Sequence, residues 1–268
     1  MASKWLIAAG VSVLLGTGHA SADDALQFSG TLGGGDIYYD APDKHIGDWN
    51  ANGSVLVSIG NPGFNLQADF DNDNLSASAH GGDFWSYGAD AYWRDYAGAI
   101  GLNADAHAIS NSIENGKGAD FTNYGGFGQW YAAPEATLEL KGGWMSGHYD
   151  GPYAGGGIVG YPLDSLALDL TADYAKADSQ NTQLKDVGIF VEWLPLPEIP
   201  VSVGFGYTRT EIDGAVVPPF GDRDLDVWSV AIKAYFGGGG AGNTLRDYQR
   251  NGAVSYDSAP TALVQFGY

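Results

Sequence analysis

The side chains best suited to chemistry are scattered rather than gathered. Apart from His19, the histidines are His45, His80, His107 and His148. The best local pairing is Asp105-Ala-His107. Its two-residue spacing sets acid and imidazole side by side on one face of an extended chain, as an orienting carboxylate and a base would stand. The nearest nucleophile, Ser110, has the wrong parity unless the strand has already ended. A polar wall is the plainer reading of that stretch. Asp69-x-Asp71-x-Asp73 opens like a calcium loop, but it lacks the following Gly, and His80 stands where the closing Glu belongs. Asp222-x-Asp224-x-Asp226 is of the same type, and solvated acidic loops account for both. Gly155-Gly156-Gly157 and Gly237 to Gly240 lack the Lys and Ser/Thr of a phosphate cradle, and no helical pattern follows them. Cysteine is absent, so no disulfide or thiolate metal site exists. We expect no cofactor, no metal site and no enzymatic activity.

The elements that carry these residues are strands. Period-two alternation is the main strand signal. It runs through Val55/Val57/Ile59, Phe64/Leu66/Ala68/Phe70, Trp85/Tyr87/Ala89/Ala91/Trp93, Ile100/Leu102/Ala104 and Leu138/Leu140. It continues through Leu166/Leu168/Leu170, Val187/Ile189/Val191/Trp193, Val201/Val203/Phe205/Tyr207 and Trp228/Val230/Ile232/Ala234/Phe236. Segments 25–39, 120–131 and 151–161 are weaker because Gly blurs their faces. Together they make twelve segments. Short, mostly proline-bearing joints such as Gly60-Asn61-Pro62-Gly63, Tyr161-Pro162-Leu163-Asp164 and Pro195-Leu196-Pro197-Glu198 alternate with polar stretches at 71–83, 109–119, 176–184 and 210–224. A transmembrane barrel sorts its connections this way, with short periplasmic turns and long outer loops. Aromatics near segment ends (Trp85, Trp93, Tyr96, Trp130, Tyr131, Trp144, Trp193, Trp228) suit interfacial girdles.

The ends and the composition point to the same compartment. Lys4, the apolar stretch Trp5 to Gly16 and Ala20-Ser21-Ala22 form a secretory signal peptide over 1–22. Its removal takes away Lys4 and no acid, moving the net charge from −20 to −21. Such a balance excludes nucleic acid as a partner and favours cations or neutral solutes. Charged residues make up 16%, against about a quarter in ordinary soluble domains. Residues 23–236 hold the barrel, and 237–268 form a tail, periplasmic or tucked into the lumen. Within the tail, Gly237 to Gly240 reads as a flexible linker and Thr244 to Arg250 as a polar, partly basic patch.

By architecture, residues 23–236 resemble a Gram-negative outer-membrane β-barrel of the porin-like kind. The resemblance implies an all-β, up-and-down antiparallel barrel of twelve strands. Fourteen strands result if 253–257 and 260–268 add a hairpin. It also implies outer-membrane lipid, lipopolysaccharide and the barrel-assembly machinery as partners. The assembly machinery reads an alternating closing strand that ends in an aromatic. Trp228-x-Val230-x-Ile232-x-Ala234-x-Phe236 fits, and so does Ala262-x-Val264-x-Phe266-x-Tyr268. The polar set opposite the lipid face would line a lumen: Asp69, Asp90, Asp105, His107, Glu139, Lys141, Asp169, Asp173, Glu192 and Lys233. Acids outnumber bases there, so the expected function is passive diffusion of small cations and neutral solutes. The rival readings are a sealed structural or adhesive barrel, shut by Phe84, Tyr92, Phe190 and Tyr235, and a lipid-modifying enzyme with a rim site at His107. Phospholipase-type barrels carry His and Ser at alternate positions of one strand, a spacing that the Asp105–Ser110 stretch lacks.

Overall fold

A computed structural model of the chain describes residues 26–41, 44–60, 62–76, 81–110, 120–178, 181–214, 223–237, 243–252 and 254. Residues 1–22 and the whole of the second closing-strand match, 262–268, lie outside them. The strands are β1 (Leu26–Ala41), β2 (Lys44–Gly60), β3 (Gly63–Ser76), β4 (Gly81–Arg94), β5 (Gly98–Ser110) and β6 (Phe121–Ala133). They continue with β7 (Ala136–Gly147), β8 (Gly151–Leu163), β9 (Leu166–Ala177), β10 (Thr182–Trp193), β11 (Val201–Gly214) and β12 (Arg223–Phe236). The twelve close into one antiparallel barrel in sequence order, with β1 hydrogen-bonded to both β2 and β12. Closure leaves no strand edge unpaired, which the hydrocarbon core of a membrane demands. The closing strand is the Trp228–Phe236 segment, whose Phe236 pairs with Gly30.

Alternation decides which way each side chain faces. On β3, Asn65, Gln67 and Asp69 are 3%, 4% and 5% exposed, whereas Phe64 and Leu66 are 40% and 48% exposed. The outward set includes Val55, Leu102, Leu140, Ile189, Phe205 and Val230. So large an apolar surface is stable against lipid and not against water. Glycines in β6, β7 and β11 make room for inward aromatics. A Cβ on Gly143 would stand 2.8 Å from the Tyr153 hydroxyl, and one on Gly204 would meet the Phe190 ring. This packing explains why Gly blurred the faces in the weaker segments.

The strands run further than alternation indicates. Residues 71–76 belong to β3, 81–83 to β4, 182–184 to β10 and 210–214 to β11, although these stretches read as loop. Beyond the bilayer the outward face of a hairpin turns polar (Lys185, Glu211, Asp213), while inward residues such as Leu184, Thr210 and Ile212 stay buried in the interior. The apolar alternation therefore fades while the backbone ladder continues. The sorting of connections is also looser than expected. At the end where β1 begins and β12 finishes (the turn end), the β10–β11 connection runs from Leu194 to Pro200. At the opposite, loop end, β7 and β8 are joined only by His148 to Asp150. Tyr131, expected in an interfacial girdle, instead donates from its hydroxyl to the Arg250 carbonyl inside the barrel (3.1 Å).

After β12 the chain turns back. A short helix, α1 (Leu245–Asn251), packs against the barrel wall at the turn end. Its N-cap Thr244 accepts from the Asp247 backbone N–H at 3.0 Å, and Leu245 is fully buried. Ser/Thr at the N-cap satisfies a backbone donor that a helix start leaves orphaned. The Thr244–Arg250 patch is thus a capped helix rather than an unstructured basic stretch.

Candidate functional site

The barrel interior has three levels. At the loop end, inward apolar residues from many strands meet in a collar that includes Tyr39, Phe84, Phe121, Met145, Tyr149, Leu184, Ile212 and Leu225. Phe84, Met145, Tyr149 and Leu184 are at most 1% exposed.

Below the collar lies a polar chamber. A cavity of about 390 Å³ is lined by Asn50, Asn52, Ser54, Asp71, Glu139, Asp169, Thr171, Glu192 and Lys233, with Tyr131, Phe190 and Tyr235. An adjoining hollow of about 100 Å³ adds Asp90, Asn103, Asp105, Asn123, Lys141 and Tyr153. Of the residues expected to line a lumen, these two spaces bring together Asp90, Asp105, Glu139, Lys141, Asp169, Glu192 and Lys233. The others face inward but are packed into the wall. Asp69 takes a hydrogen bond from Gln67 Nε2 at 2.8 Å, and Asp173 pairs with Lys141 Nζ at 3.0 Å. His107 is 2% exposed.

The wall bases do not go to the acids evenly. Lys141 serves Asp173 and Lys233 serves Glu192 at 3.4 Å. Glu192 also accepts from the Ser202 and Tyr235 hydroxyls, each at 2.5 Å. Arg94 donates to the Tyr92 hydroxyl at 3.2 Å and lies over its ring. Asp105 accepts from two neutral amides, Asn103 Nδ2 at 3.0 Å and Asn123 Nδ2 at 2.6 Å. Glu139 accepts from Gln129 Nε2 at 2.8 Å. Amide donors satisfy a carboxylate oxygen without adding a positive charge beside it.

Sequence reasoning placed several further inward acids elsewhere. Asp71 and Asp73 are not part of a calcium loop. They continue the inward face of β3, about 6.5–7 Å apart along one strand, and so do not converge on an ion. Their shared parity with Asp69 was the signal that could have placed them. Asp48 and Asp186 also face in. Among the described residues, no group of three or more His, Asp or Glu side chains is arranged to hold a metal. Asp224 and Asp226 lie on β12 rather than in a loop and face outward. Arg209 clamps them at 2.5 Å and 2.9 Å.

His107 has the nucleophile partner that an enzyme would need, though not on its own strand. Ser86 Oγ on β4 lies 2.6 Å from His107 Nδ1. Asn123 Oδ1 on β6 meets His107 Nε2, and the Asn123 amide continues to Asp105. This is the order of a Ser–His–Asn relay. However, Ser86 is fully buried, Phe84 stacks 5.8 Å from the imidazole, and Phe121 lies 4.4 Å from it. No space remains at the hydroxyl for an acyl substrate. The network instead joins three neighbouring strands just under the collar. Ser110 lies in β5, its side chain outside the described residues, as is His80. His148 is exposed beside Tyr149.

The third level is the tail. Arg250 donates from Nη2 to the Ala133 and Ala136 carbonyls (2.7 and 2.8 Å) and from Nε to Thr137 Oγ1 (3.0 Å). Its guanidinium sits 4.8 Å from the Tyr131 ring centre and 5.3 Å from that of Tyr161. Gln249 reaches Glu192 at 3.1 Å. Further in, Gln67 brackets Val254, accepting from its N–H at 2.8 Å and donating to its carbonyl at 3.0 Å.

No protein-family model matches the sequence, and no curated protein matches it either. Solved structures do match in shape. The KdgM porin in complex with disordered oligogalacturonate superposes with a TM-score of 0.52 at 9% identity, covering 77% of this chain and 99% of that one. An outer-membrane channel from Pseudomonas putida F1 gives 0.51 at 10% identity, covering 82% and 100%. The chain therefore has the fold of a porin-like outer-membrane β-barrel.

Proposed function

We propose that this protein is a passive channel in the outer membrane of a Gram-negative bacterium, admitting small cations and neutral solutes through an acidic chamber. The observation that carries the reading is the chamber itself. The barrel's waist is a cavity of about 390 Å³ walled by Asp71, Glu139, Asp169 and Glu192, not a packed core. Acidic side chains around a narrow aqueous space concentrate cations and exclude anions. A polyanion such as oligogalacturonate, named with the KdgM porin, is poorly matched to these walls. The turn end, with the tail, lies on the periplasmic side in this reading, as short turns do in such barrels. Lipopolysaccharide surrounds the loop end, and the assembly machinery reads β12. Nucleic acid has no place in it.

The test is the reversal potential of refolded protein in a planar bilayer under a KCl gradient. Potassium preference that falls toward neutrality in Asp105→Asn, Glu139→Gln and Asp169→Asn together supports the reading. Anion preference in the unaltered protein sinks it. A second reading, a sealed structural barrel, draws on the collar and predicts correctly folded protein with no conductance.

A further inference from the structure

We propose that residues 243–252, with Val254, are a resident plug that closes the turn-end mouth and must withdraw for the channel to conduct, with Arg250 as its bolt. The inference rests on the channel reading and adds the gate to it.

Three walls of the barrel hold the segment. Leu245 N–H donates to the Asp164 carbonyl in the β8–β9 turn at 2.8 Å. On the β10–β12 side, Tyr248 stacks on Tyr235 at 5.0 Å, and Gln249 reaches Glu192. On β3, Gln67 brackets Val254. Contacts on three separated walls mean that the segment crosses the opening rather than lying along one side. Arg250 and Val254 line the 390 Å³ chamber, so the plug forms the chamber's floor.

The polar contacts of the plug can be exchanged for water, while Leu245 and Tyr248 must leave an apolar cluster with Val159, Tyr161, Leu194 and Tyr235. Arg250 ties down the β6–β7 turn by donating to two carbonyls and a hydroxyl, and its flat guanidinium fits between two tyrosine rings. A lysine has neither the fork nor the flat face. Those carbonyls and that hydroxyl can turn to water when Arg250 leaves, so release strands few buried groups. A covalent tether through Gly237 keeps the plug near the mouth, and a tethered ligand rebinds at high effective concentration.

Two experiments on the full-length protein in planar bilayers test the inference. Arg250→Ala should raise mean conductance several-fold by lengthening open periods, and Arg250→Lys should fall between it and the unaltered protein. Because the chain has no cysteine, Gln67→Cys with Val254→Cys can be joined by a short, reducible thiol cross-linker. The cross-linked barrel should be silent and should conduct once the linker is cleaved. If Arg250→Ala fails to fold, the cross-linking comparison decides alone. Equal conductance before and after cleavage overturns the plug and leaves the channel reading standing. Silence from every form, including the cleaved one, overturns both.

Discussion

The two ends of this barrel are narrowed by different means. At the loop end the collar is built from the wall, with Phe84, Phe121 and Leu184 projecting from three strands and Tyr149 from the β7–β8 connection, meeting as an apolar cluster. At the turn end the obstruction is a separate segment, held by hydrogen bonds from Arg250, Gln249 and Leu245 to turns and side chains and by packing of Leu245 and Tyr248 on Val159, Tyr161, Leu194 and Tyr235. A wall-built constriction cannot leave without deforming the strands that carry it. A tethered segment can leave as a unit, because water can replace each polar contact it gives up. The first kind suits a permanent filter and the second a gate.

Variants can break or sharpen that contrast. The largest effect belongs to the collar. Phe121→Ala removes a 3%-exposed ring packed on His107 and Tyr149 and should cost about 3–5 kcal/mol of barrel stability, read by urea unfolding in micelles. Arg250→Ala, by contrast, should leave the barrel's unfolding midpoint nearly unchanged while conductance rises. Matched losses of stability at the two sites would erase the distinction. The next largest effect is Ser86→Ala, just beneath the collar. Leaving the buried His107 Nδ1 without its hydroxyl partner should cost about 1–3 kcal/mol, with ion selectivity unaltered. Covalent labelling of Ser86 in the unaltered protein by a serine-reactive fluorophosphonate would overturn the structural role given to it. The smallest effect is expected outside the wall. Arg209→Ala breaks two exposed ion pairs and should produce no measurable change in unfolding, as solvent-facing pairs contribute little.

The sequence exposed some parts of this arrangement and hid others. Inward placement of Asp90, Asp105, Glu139, Lys141, Asp169, Glu192 and Lys233 follows from parity alone, because a strand shows alternate side chains to opposite faces. Closure on β12 was visible in the Trp228–Phe236 pattern. The full length of β3 and β11 was not, since the apolar-outward pattern ends where the outer face meets water, although Asp73, Thr210 and Ile212 continue the buried inward face. The collar was half visible. Phe84 has inward parity and was named as a residue able to shut the lumen, but its meeting with Tyr39, Tyr149 and Leu225 joins strands far apart in the chain.

What the sequence determined by itself is the set of twelve strands and the faces of those with clear alternation, because both follow from a two-residue period. Tertiary structure alone decided which inward residues share a cavity, which acids take lysine and which take amides, and how Ser86, His107 and Asn123 align. Those outcomes depend on the register between strands and on barrel closure. Closure also decided the role of the tail. The Thr244–Arg250 stretch carries a legible cap and charge, but only the finished barrel presents the carbonyls and tyrosine faces that Arg250 binds.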